Sequence, residues 1–139
     1  MIEINYLAIL LVSIAAFAIS AVWYSPLMFG NTWMKIMGGD RYTKAEISAM
    51  QKKMMPMYFL QFVLTLVTMY VLSALVHWVG MASSVGIAFF MWLGFIMPTT
   101  VSSVMWGMTD KKWWCKQIAI MTGAQLVVMI IAGYVFSIY

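Results

Sequence analysis

Three residues at helical spacing, Gln61, Thr65 and Thr68, bring one amide and two hydroxyls onto a single face of an apolar run. Thr99, Ser102 and Ser103 do the same in the next run, with Trp106 a turn further on, and Thr122 and Gln125 lie at similar depth in the last one. Such side chains donate and accept hydrogen bonds, but they carry no charge and supply no activated nucleophile. Together they are candidates to line a polar pocket open to the side of the basic loops. The simpler use of the same groups is to bridge neighbouring helices, at about 0.6 kcal/mol each.

Bond-making chemistry would need more than this. The chain offers no His/Asp/Ser set, no paired carboxylates, no phosphate-binding glycine loop and no cofactor fingerprint, so no catalytic residue and no cofactor is expected. Sixteen methionines, one histidine and one cysteine fit soft Cu(I) by ligand type, and Met50, Met54, Met55 and Met57 cluster. Against copper, His77 and Cys115 fall at opposite ends of predicted helices, and methionine is an adaptable core filler. No metal site is expected. No Asp, Glu, Lys or Arg lies inside a predicted span, so nothing there holds a proton in transit, and a drug/proton exchanger is not expected either. What remains is a non-enzymatic binding or interaction module in a membrane, with a channel or carrier for a neutral or amphipathic solute as the alternative.

The elements that must position these groups follow from composition. Of 139 residues, 65% are hydrophobic and 9% charged, where a soluble domain carries about 25% charged residues. No charged residue occurs between Glu3 and Lys35, or between Lys53 and Asp110. A spanning helix takes about 20 mostly apolar residues, which predicts an all-α bundle of four spans in one domain, at 4–24, 56–79, 84–107 and 117–138. Glu3 and the length of the first apolar run argue against a cleaved signal peptide. Cys115 is the only cysteine, so no internal disulfide is expected.

All eight Lys and Arg fall in two connections: Lys35, Arg41, Lys44, Lys52 and Lys53 after the first span, and Lys111, Lys112 and Lys116 after the third. The positive-inside rule puts both loops in the cytoplasm and both termini outside a bacterial inner membrane. A nucleic-acid partner would need a soluble basic face, and none is expected. The stretch "WYSPLMFG" then marks the cytoplasmic headgroup level, with Trp23 and Tyr24 as interfacial rings, Pro26 turning the chain and Gly30 and Trp33 following. Gly38 and Gly39 predict a stop, and "TKAE" (Thr43 to Glu46) predicts a capping box opening a second short helix, Thr43 to Met55. Its Ile47, Met50 and Met54 share a face beside Arg41, Lys44, Lys52 and Lys53, so the 26–55 segment is expected to lie on anionic headgroups as an amphipathic interfacial element. Ser13, Ala16 and Ser20, and Ala119 with Gly123, are small-residue stripes that permit close helix approach; a homodimer is expected, although spacing does not separate pairing between chains from packing within one.

"AVWYSPLMFGNTWMKIMG" and "WLGFIMPTTVSSVMWGMTDKKWWCKQIAIMTGAQLVVMIIAGY" also resemble a family of small four-helix membrane proteins known as domain of unknown function 1761. The resemblance rests on Trp23 to Pro26, Phe29, Gly30, Gly94, Phe95, Pro98 and Thr99 and runs over nearly the whole chain. It departs in the third loop, where a Glu-Gly-Arg-Pro-like turn gives way to "GMTDKKWW". The resemblance implies four helices and a membrane location, and it implies no activity.

Overall fold

A computed structural model describes residues 3–139, and among these there is no strand. The first span is α1 (Tyr6–Trp23), capped by Asn5, whose Oδ1 accepts the Ala8 N–H at 3.0 Å. Two short helices follow, α2 (Gly30–Ile36) and α3 (Lys44–Lys53), and then the long second span α4 (Met55–Val79). The third span comprises α5 (Ser84–Met91), a π turn over Trp92–Ile96, and α6 (Met97–Met105). The fourth is α7 (Trp114–Ile138). Four helical stretches are thus long and apolar enough to cross a membrane, as the hydropathy predicts, with boundaries a few residues from those read in the sequence.

The π turn has a local cause. Pro98 lacks an N–H and its ring crowds the carbonyl four residues back, so the preceding turn widens, and the Met97 N–H reaches Trp92, five residues earlier. The third span is thus one continuous helical stretch, Ser84–Met105, as the sequence predicts, widened by a π turn in its middle.

The tight turn between α1 and α2 explains "WYSPLMFG". The Gly30 N–H donates to the Ser25 carbonyl at 2.9 Å, and a Cβ at Gly30 would stand 2.5 Å from the Ser25 carbonyl carbon. Only glycine allows the chain to fold back that closely. After α2, Gly38 takes a left-handed conformation (φ 73°), the expected stop. At Thr43 the capping box forms in full: the hydroxyl accepts the Glu46 N–H at 3.2 Å, and the Glu46 carboxylate accepts the Thr43 N–H at 3.1 Å.

Helix α7 is the element that the other spans share, packing on α1, α4, α5 and α6. The core gathers Ala8, Ile9, Val12 and Ala16 of α1, Met69, Leu72 and Val76 of α4, Ala88 of α5, and Val128, Met129, Ala132 and Phe136 of α7. Lipid tails are as apolar as these side chains, so close packing rather than water exclusion holds spans together. The small residues serve that end: Ala16 is in the core, and a Cβ on Gly123 would meet the Trp23 ring at 3.0 Å. Two tryptophans also pin α7 from either side. Trp23 Nε1 donates to the Ile120 carbonyl and Trp92 Nε1 to the Thr122 carbonyl, both at 2.9 Å.

One core group is a poor fit. Ser73 is 1% exposed, and its Oγ has no hydrogen-bond partner among the described residues. Leaving a buried hydroxyl unpaired costs about 1–3 kcal/mol. Ser73→Ala is therefore expected to raise the thermal midpoint of the detergent-solubilised protein, by an amount corresponding to roughly 1 kcal/mol; a lowered midpoint would show that the hydroxyl makes a bond in the membrane.

Candidate functional site

Every core residue of α4 lies from Met69 onward; nothing in the first fourteen residues of that helix is buried. On α1 the buried residues stop at Ala16. Helices α1 and α4 therefore pack closely in the half remote from the basic loops and part from each other in the half next to them. Small side chains, Ala8, Ser13 and Ala16, permit the close half. Toward the basic end, Phe17 of α1 meets Phe62 of α4 edge to face, with ring centres 5.9 Å apart, bridging the helices as they diverge.

The space between them is a groove of about 740 Å³, within the range of about 300–1,000 Å³ typical of ligand pockets. Its walls are Phe17, Ser20 and Ala21 of α1, Gln61, Leu64, Thr65 and Thr68 of α4, and Gln125 of α7. Ala16, Met69 and Val128, all core residues, close its deep end. Tyr24, Trp33, Gln51 and Tyr58 surround the end nearest the basic loops. Tyr24 and Trp33 meet edge to face at 5.0 Å, so the turn through Pro26 and Gly30 brings α2 back beside the groove. No lining residue is charged.

Half of the predicted polar pocket is assembled here: Gln61, Thr65, Thr68 and Gln125 face the same space. The other half is not. Thr100, Val101 and Val104 form the more buried side of α6, which packs on α7, while Thr99, Ser102 and Ser103 are exposed and share a shallow outward depression with Pro98 and Trp106. Thr99 and Ser103 hydroxyls donate to carbonyls of their own helix, at Phe95 and Thr100. Thr122 is buried, its hydroxyl donating to the Ile118 carbonyl at 2.6 Å, and it has no place in the groove. Spacing sets which residues share a helical face; which neighbour that face meets depends on the rotation of each helix about its axis, which spacing does not set.

Ser20, Gln51 and Tyr58 also line the groove, although spacing marks none of them as a pocket residue, and so do Tyr24 and Trp33, which the sequence marks as interfacial rings. Ser20 carries a signal, since it lies four residues from Ala16 and seven from Ser13 on one stripe, but a small residue reads equally as packing. Arg41, Lys44, Lys52 and Lys53 are all exposed, with Arg41 donating from Nε to the Gly38 carbonyl at 3.0 Å. Met50, Met54, Met55 and Met57 are exposed as well. His77, whose Nδ1 lies 2.7 Å from the Ser73 carbonyl, is at the opposite end of the bundle from Cys115. Among the described residues no three His, Cys, Asp or Glu side chains come together as a metal site.

The groove, the shared helix α7 and the glycine turn lie in a chain whose residues 7–137 match the family model described as "Protein of unknown function (DUF1761)". Searches of curated proteins and of solved structures give no match. With a family match over almost its full length and four helices able to span a membrane, the chain belongs to the DUF1761 family of unknown function and is a membrane protein.

Proposed function

We propose that the protein is a non-enzymatic binding module that takes up a small molecule in the groove between α1, α4 and α7 and does not pass it across the membrane. One observation carries this reading: the groove lies beside the basic loops and ends on a packed floor. Beyond Met69 the path meets Leu72, Val76, Ala132 and Phe136, each no more than 2% exposed. The competing reading, a channel or carrier, draws support from the polar lining at membrane depth, but it requires that floor to open. Proteoliposomes containing the protein and a panel of neutral and amphipathic solutes separate the two. Retention without flux above that of empty vesicles supports a binding module, and selective protein-dependent flux would sink it.

Orientation belongs to the same proposal. Eight basic residues in two loops at one end and none in the termini or the connection at the other support a bacterial inner membrane with cytoplasmic loops and external termini. The groove then opens to the cytoplasm or its leaflet. Cys115 is exposed at the start of α7, so an impermeant thiol reagent is expected to label it only after permeabilisation; labelling of intact cells would reverse the orientation.

The basic helix α3 has no buried residue and is too short to be stable alone in water, yet its N-terminus is fully capped. Anionic headgroups, at about 1 kcal/mol per basic residue, supply what the bundle does not. Spin labels test this: a label at Met50 is expected to show lipid-side oxygen access and one at Ser48 aqueous-reagent access. Equal, water-like access at both would leave α3 a solvated connector.

A further inference from the structure

We infer that the groove selects an uncharged amphiphile, held by a carbonyl or hydroxyl head between the carboxamides of Gln61 and Gln125, with its apolar end on the floor. This rests on the binding reading above and adds the chemical class of the ligand. The two threonines on the wall have already used their protons: Thr65 Oγ1 donates to the Gln61 carbonyl at 2.9 Å and Thr68 Oγ1 to the Leu64 carbonyl at 3.0 Å. Each therefore offers lone pairs alone. The side chains of Gln61 and Gln125 have no partner among the described residues, so each retains two N–H donors and a carbonyl acceptor. They belong to different helices and look into one cavity.

An unpaired amide at membrane depth is unfavourable, and a ligand head or water must satisfy it. A charged head is a poor match, because no lining residue could neutralise it. Met69 lies roughly 12 Å beyond Gln61 along α4, eight residues at about 1.5 Å rise, and Val128 roughly 4.5 Å beyond Gln125 along α7, three residues. A short apolar tail against Met69 leaves the head within reach of both carboxamides.

The test uses the full chain in lipid nanodiscs and three probes with matched tails: 1-monooctanoylglycerol, octanoate and octylammonium. Titration is read against empty nanodiscs, which removes simple partitioning. Saturable binding of the glycerol ester is expected, at least tenfold tighter than that of either charged probe. Gln61→Leu and Gln125→Leu, both at exposed positions where folding should survive, are each expected to weaken it about fivefold, the effect of one lost hydrogen bond. Saturable binding of all three probes alike, or unchanged affinity in both Gln variants, would overturn the inferred ligand class while leaving groove binding intact. Saturable binding of none would overturn both.

Discussion

Gly133→Leu is expected to leave almost no folded protein. A Cβ added at Gly133 would lie 2.9 Å from the Ala88 Cβ, 2.9 Å from the Ser84 carbonyl oxygen and 3.1 Å from the Val85 Cα. Two of these three neighbours are backbone atoms, which have no rotamer through which to withdraw. Overpacking a core costs about 1–3 kcal/mol even where side chains can shift, and leucine adds three further carbons in the same direction. Because α5 leans chiefly on α7, forcing the two apart removes the contact that holds the third span to the bundle. A total stability of about 5–15 kcal/mol leaves little margin for such a loss. Gly94→Leu is the control, since a Cβ there meets nothing within 4 Å. That variant should match the wild type, or exceed it by up to about 1 kcal/mol from helix propensity. Thermal unfolding and monodispersity in detergent report both, and a folded, wild-type-like Gly133→Leu would refute the α5–α7 packing.

Thr65→Trp is the second substitution with a large expected effect, on binding rather than on folding. Thr65 is half-buried on the groove wall, one turn beyond Gln61. An indole there projects into the open space and displaces the volume a ligand would take. Loss of saturable ligand binding by 100-fold or more is expected, with the thermal midpoint nearly unchanged, because the wall residues of α4 before Met69 contribute no buried core. Binding at wild-type strength would move the site out of the groove. A fall in stability together with binding would show instead that the groove closes in the membrane.

Particular residues show where sequence alone was sufficient. The four spans follow from two long uncharged stretches, because hydrocarbon tolerates only helices whose backbone groups pair internally. Thr43 and Glu46 gave the cap of α3, since a capping box is a local hydrogen-bond pattern with fixed spacing. The groove was legible only in part. Gln61, Thr65 and Thr68 share a face by helical geometry, but the same geometry groups Thr99, Ser102 and Ser103, which point away from α7. Helix rotation is decided by long-range contacts such as Trp92 on the Thr122 carbonyl and Ala88 against Gly133, and no local spacing encodes those. The glycine requirement at Gly30 is likewise a matter of chain return: it arises because Ser25 folds back to within bonding distance, which the motif marks without explaining.

The most direct test of a groove open at the basic end and closed beyond its floor is a cysteine scan along α4 in a Cys115→Ser background. Single cysteines at Gln61, Thr65, Thr68, Ser73 and Val76 are exposed to a small impermeant thiol reagent applied to each face of oriented proteoliposomes. Gln61→Cys, Thr65→Cys and Thr68→Cys are expected to react from the face bearing the basic loops alone, and Ser73→Cys and Val76→Cys from neither, since these two side chains are 1% and 0% exposed. Reaction of Ser73→Cys and Val76→Cys from either face would reveal a water path through the packed half and contradict the account.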